Sequence, residues 1–170
     1  MKTYLPLLLL AALLIGGCQS VPPNPTPASE SDVTVNFQDP DKFADVRESF
    51  GGPTSQYYLD LLSQYVKKTA ANRMTAGQKL TVTFTDIDLA GDFVPTSPNM
   101  DTVRIIKAIY IPRMNLRFQL TDAKGAILKE GERRLTDLNF QQNFVPLDRN
   151  QPLYHDKQLL DTWLRQELKP

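Results

Sequence analysis

Val33, Val35 and Phe37 share one parity of the chain while Thr34, Asn36 and Gln38 share the other, which predicts a short half-buried strand stopping at Asp39-Pro40. A loop containing Gly51-Gly52-Pro53 follows. Tyr58, Leu61, Leu62, Tyr65, Val66 and Thr69 then recur at three and four residues behind Thr54 or Ser55, either of which can cap, so an amphipathic helix is expected to end near Arg73, with Gly77 closing the segment. Leu80, Val82 and Phe84 alternate with Thr81, Thr83 and Thr85. Met114, Leu116, Phe118 and Leu120 alternate in the same way with Asn115, Arg117, Gln119 and Thr121. Asp122-Ala-Lys-Gly125 has the composition of a hairpin turn, with glycine at the left-handed position, and it leads into a strand from Ala126 to Arg134. Ile105 to Ile111 is apolar on both parities and is interrupted by Pro112, so it is either a strand of its own or the start of the next one. One strand bent at the proline is the preferred reading. From about His155 to Leu168, Leu160, Trp163 and Leu164 line one helical face, with Asp156 near the start and Lys169 at the end, as the helix dipole prefers.

The predicted order is strand, helix, three antiparallel strands, helix. Burying both helical stripes against one sheet gives an α+β, two-layer fold: an antiparallel meander of about four strands, order β-α-β-β-β-α, with two helices on one face. Thr81, Thr83, Asn115, Arg117 and Gln119 then stay wet on the other. Residues 33–170 form a single domain, long enough to bury about two-thirds of the surface exposed by the unfolded chain.

Upstream of that domain the pattern changes twice. Lys2 precedes an apolar run, Leu5 to Ile15, broken only by Pro6 and ending in Gly16-Gly17. This is the grammar of a signal peptide, 1–17, and it falls short of the roughly 20 apolar residues that span a bilayer. Leu14-Ile15-Gly16-Gly17-Cys18 resembles the lipobox of bacterial lipoproteins, with Ile15 where leucine is commoner. Cys18 is the only cysteine, so an exported chain carries no disulfide and its one thiol sits where lipid attachment requires it. The expected partner is therefore a membrane, through an N-terminal lipid at Cys18, and two acyl chains suffice for stable anchoring. Gln19 rather than aspartate after the cysteine favours, by the same resemblance, the outer membrane of a double-membraned host, with the body facing the periplasm. Residues 18–32 carry Pro22, Pro23, Pro25 and Pro27 among small polar residues and read as a tether or as a leader with no spacing role.

Charge changes the picture by exclusion. The chain has 19 Lys and Arg against 19 Asp and Glu, and losing Lys2 leaves the remainder at about −1, without the positive field that holds phosphate backbones. Nucleic acid is not an expected partner. The chain lacks a glycine-rich phosphate loop, a nucleophile elbow, histidines at metal-ligand spacing and a thiol for catalysis. No catalytic residue, cofactor or established metal site is assigned. His155, the lone histidine, reads as a surface or capping residue, and Trp163 as core.

Asp86-Ile87-Asp88-Leu89-Ala90-Gly91-Asp92 is the one unusual stretch. If alternation ran on from Phe84, Asp86 and Asp88 would point into the core, where unpaired carboxylates are expensive. Either the strand bulges near Thr85 and turns Ile87 and Leu89 inward, or the aspartates sit at the sheet edge against Arg104, Arg113 or Arg133. Three carboxylates and a glycine also make Asp86, Asp88 and Asp92 weak candidates for a calcium loop, without the terminal glutamate of an EF-hand, or for acid-base work.

Several segments are also similar to one family. Residues 33–43 (Val-Thr-Val-Asn-Phe-Gln-Asp-Pro-Asp-Lys-Phe), 85–92, Pro112-Arg-Met-Asn-Leu116 with Leu120-Thr-Asp-Ala-Lys-Gly125, Gly131-Glu-Arg-Arg-Leu-Thr-Asp-Leu-Asn139, and 152–163 (Pro-Leu-Tyr-His-Asp-Lys-Gln-Leu-Leu-Asp-Thr-Trp) resemble, in order, a proteobacterial family known as domain of unknown function 3016. The resemblance spans nearly the whole domain. It implies a lipoprotein-borne, periplasmic setting and assigns no activity or ligand. His155 departs from the acidic residue expected there. Two function classes follow: a non-enzymatic binding or assembly module of the cell envelope, whose partner is another envelope protein or an amphiphile, and, as the alternative, a small metal-dependent or carboxylate-using hydrolase built on Asp86, Asp88 and Asp92.

Overall fold

The structure, a computed structural model, describes residues 26–94, 103–143 and 146–168. Residues 1–17, expected to be a signal peptide, and Cys18 and Lys169 lie outside the described residues. The elements run β1 (Val33–Phe37), α1 (Gln56–Ala71), β2 (Lys79–Asp88), β3 (Asp92–Phe93), β4 (Arg104–Ile105), β5 (Arg113–Thr121), β6 (Ile127–Thr136) and α2 (Tyr154–Glu167). The fold is α+β, with two helices and a four-stranded, mostly antiparallel sheet in the order β1-β2-β5-β6.

The expected meander is corrected at its first strand. β1 pairs parallel to β2, Val33 opposite Leu80 and Phe37 opposite Phe84. The reason is α1, which carries the chain back along the sheet, so that β1 and β2 are joined by a helical crossover instead of a turn. The rest of the sheet is antiparallel: β2 on β5, then β5 on β6 through the Asp122–Gly125 turn, where Gly125 has φ +83°. The expected bent strand over 105–111 is also corrected. Arg104–Ile105 leaves the main sheet and pairs with Asp92–Phe93 as a small separate ribbon, and β5 begins only at Arg113, beyond Pro112, which has no N–H for a ladder bond.

Alternation explains the core. Leu80, Val82, Phe84, Met114, Leu116, Phe118 and Leu120 form one buried cluster with Leu59, Leu62, Val66 and Ala70 of α1 and Leu160, Trp163 and Leu164 of α2. Thr81, Arg117 and Gln119, of the opposite parity, are exposed, and Thr83 and Asn115 are half-buried. Trp163 meets Phe118 edge-on at 5.7 Å between centroids, a core residue as expected. Ser55 caps α1, its hydroxyl oxygen accepting the Tyr58 N–H at 3.2 Å, while the same hydroxyl donates to Glu48.

The stretch just before β1 is held on the domain. Ala28 N–H donates to the Met74 carbonyl at 3.1 Å and Ala76 N–H to the Thr26 carbonyl at 2.9 Å, with Pro27 bridged to Thr75. Glu30–Asp32 then form a short 3-10 helix capped by Ser29. Thr26 to Asp32, assigned to the tether by composition, is thus fastened beside the turn that follows α1.

Candidate functional site

The odd acidic stretch sits where β2 leaves the regular part of the sheet. A bulge between Phe84 and Asp86 shifts the register by one residue, so Ile87 and Leu89 point inward and are fully buried. Of the two readings of this stretch, the bulge is the one found. It removes the problem of core-facing carboxylates at its source. Asp86 accepts the Ala44 N–H at 3.0 Å, Asp88 lies 3.9 Å from Arg113, and Asp92 accepts the N–H of its neighbour Phe93 at 2.7 Å. The other two expected cations go elsewhere: Arg133 pairs with Glu167 of α2 at 2.5 Å, and Arg104 with Asp45.

Arg104 is the hub of this end. Its Nη1 donates to Asp45 at 2.8 Å and to the Gly91 carbonyl at 3.0 Å, and its Nη2 donates to the Arg47 carbonyl at 3.1 Å. Its planar face lies 4.5 Å from the Phe93 ring centroid. Backbone bonds add to this tie: Asp45 N–H donates to the Ile87 carbonyl and Leu89 N–H to the Asp45 carbonyl, extending β2 with one parallel bridge. Gly91 is required here. Its φ is +84°, and a Cβ there would meet the Ile105 carbonyl oxygen at 2.8 Å and the Ile106 side chain at 2.6 Å.

Around this hub the 44–51 loop, the end of β2, β3 and residues 109–113 enclose an open cleft of about 500 Å³. Phe50 and Ile109, 61% and 75% exposed, flank it beside Arg47, Asp88 and Arg113. Burial, and then the neighbouring Asp45 carboxylate, raise the Asp88 pKa above the ordinary carboxylate value, against the pull of Arg113.

The start of α2 contributes what the sequence pattern did not announce. Asp156 is buried, accepts the Ala90 N–H at 2.9 Å, and is pushed up to about 7 by burial, against that hydrogen bond and Arg104. A signal was present: Asp156 precedes Leu160 and Trp163 by four and seven residues and so lies on the apolar stripe. His155 is neither a surface residue nor a cap. It is half-buried, meets Phe140 edge-on at 4.8 Å, and burial holds its pKa below the usual value. The cap position falls to Leu153, in the left-handed region with φ +58° and no side-chain cap bond.

Chemically the arrangement holds each acidic side chain to a structural partner. Asp86 and Asp92 face backbone amides, Asp45 faces Arg104, and Asp156 faces Ala90. Among the described residues no three His, Cys, Asp or Glu side chains gather in a way that would hold a metal ion, and no helix is long and apolar enough to cross a membrane.

These features define a small α+β domain with a mixed polar and apolar cleft. The family described as Protein of unknown function (DUF3016) matches residues 31–166, and the chain belongs to that family. No curated protein and no solved structure matches it.

Proposed function

We propose that this protein is a lipid-anchored component of the cell envelope, cut before Cys18, carried by the outer membrane of a double-membraned host and facing the periplasm, where it works as a non-enzymatic binding or assembly module. The observation that carries the reading is the order of three segments: an apolar run ending in Leu14-Ile-Gly-Gly-Cys18, a proline-rich stretch, and a domain to which that stretch is fastened from Thr26 onward. The cleft flanked by Phe50 and Ile109 supports the binding part, because large apolar side chains exposed beside charged ones suit recognition of a partner. The hydrolase alternative on Asp86, Asp88 and Asp92 has no observation in its favour, since two of these carboxylates are engaged by backbone amides and the third faces Arg113.

Metabolic labelling with an alkyne fatty acid tests the anchor. The expected result is label on the processed chain and a diacylglyceryl mass on the peptide beginning at Cys18, with Cys18→Ala unlabelled and still carrying residues 1–17. An unlabelled chain of full precursor mass would overturn the reading. Calcium that raises the melting temperature of the purified protein with the logarithm of its concentration would instead revive the metal alternative.

A further inference from the structure

The tether and the cleft lie at opposite ends of the sheet. Thr26 to Ala28 are bonded to Met74–Ala76, just before β2 begins, and the turn at Gly77 touches the β5–β6 hairpin, where a Cβ on Gly77 would come within 2.9 Å of the Ala123 Cβ. The cleft lies where β2 ends, ten residues on, a distance of about 30 Å along an extended strand. The chain between Cys18 and Thr26 reaches about 25 Å at full extension.

The surface beside the tether has a distinct chemistry. Residues 123–130 are exposed without interruption. The register shift between Leu120 and Thr121 places Leu128 outside the ladder, so that Ile127 and Leu128, 54% and 52% exposed, stand side by side. Lys124 projects from the turn and Lys79 from the start of β2, and neither is in an ion pair among the described residues. Two carboxylates share this end and both are engaged: Asp122 accepts the Lys124 and Ala126 amides at 2.8 Å each, and Glu130 accepts from the Gln119 side-chain amide at 3.0 Å. The acidic pair Glu30 and Asp32 precedes β1 at this same end but on the opposite edge of the sheet, two strands away from the β5–β6 hairpin.

From these positions we infer that the hairpin end of the sheet, through Lys79, Lys124, Ile127 and Leu128, docks on the anionic bilayer that carries the anchor, and so presents the Phe50–Ile109 cleft away from that membrane. The inference rests on the lipidation proposed at Cys18. Two apolar side chains flanked by lysines are suited to the boundary between headgroups and acyl chains, where each lysine is attracted by acidic lipid and each apolar group leaves water. The short leader keeps this end within reach of the surface, and the lipid supplies the bulk of the binding energy, so weak contacts suffice to choose the orientation.

The test uses the acylated full-length chain in vesicles of phosphatidylethanolamine with phosphatidylglycerol that carry a shallow nitroxide lipid. A fluorophore is placed at Ala126→Cys in one sample and at Ile109→Cys in another, and the intact mass of each sample reports the acyl chains on Cys18. Strong quenching at 126 with little at 109 is expected. The double variant Lys79→Glu with Lys124→Glu should reduce the docked-to-free ratio on the order of tenfold, as should replacing phosphatidylglycerol by phosphatidylcholine. Equal quenching at both positions in an acylated sample overturns the orientation while leaving the anchor intact. Self-quenching at 126 that ignores lipid composition means a second copy covers this face, which also overturns it. A sample from the envelope without acyl mass overturns the lipoprotein reading and this inference together.

Discussion

At its Gly77 end β2 starts from a turn at φ +87° and continues with strict alternation, Leu80, Val82 and Phe84 inward and threonines outward. At its other end the same strand passes a bulge and finishes among Asp45, Arg104, Asp156 and the 89–93 segment. The first half is held by apolar burial and by turn conformation, both local properties of sequence. The second half is held by charge and hydrogen bonds between residues far apart in the chain, including Arg104 with Asp45 and Asp156 with Ala90. Ends built in these two ways should fail differently.

The largest effect is expected from Arg104→Ala, which leaves the mostly buried Asp45 carboxylate and two backbone carbonyls without their donor. A loss of about 3 kcal/mol in denaturant unfolding is expected, and one below about 1 kcal/mol would show that Arg104 is peripheral to that end. Asp156→Asn tests the same end by pH. A folded-state pKa of about 7, above the unfolded carboxylate value, means that the native chain holds a proton the unfolded chain has released. Stability contributed by the protonated form is therefore complete below about pH 4 and is lost as pH rises towards 7. The wild-type melting temperature should fall across that window relative to Asp156→Asn, which keeps an acceptor for Ala90 and has no proton to lose; parallel curves would refute the assignment. At the opposite end of β2 Gly77→Ala should cost about 1 to 2 kcal/mol, because alanine at positive φ is strained and its Cβ meets Ala123. Smallest of all, Lys124→Glu should change the unfolding free energy by less than about 0.5 kcal/mol, which makes it a clean probe of membrane docking.

The same contrast explains what was legible in the sequence. α1 with its Ser55 cap, the alternating half of β2, β5, the Asp122–Gly125 hairpin and α2 all follow from periods and turn residues within a few positions. The sequence of 85–92 is compatible with a bulge at Thr85 and with edge-facing aspartates, and only the positions of Ile87 and Leu89 in the core decide between them. The parallel pairing of β1 was hidden because alternation specifies which face is buried and is silent on the direction of the neighbour. The departure of Arg104–Ile105 into a ribbon was hidden because it depends on Gly91 and Asp45, distant in sequence. Arg133 looked like a partner for the acidic stretch, yet its strand lies at the far edge of the sheet, where Glu167 meets both Arg133 and Lys129. Burial alone would raise the Glu167 pKa, and the hydrogen bonds and charges of those two cations outweigh it and hold it below the ordinary value.

The parallel pairing of β1 has a consequence in time. The β5–β6 hairpin closes over a four-residue turn, and β2 needs only the segment between itself and β5. β1 must wait until α1 has formed and returned the chain to the sheet, so its pairing closes a much larger loop than the hairpin does. Truncating Val35 should therefore speed unfolding and leave the refolding rate nearly unchanged, whereas truncating Leu116 should slow refolding. In a chain released amino end first, β1, the first strand to emerge, would be among the last to settle.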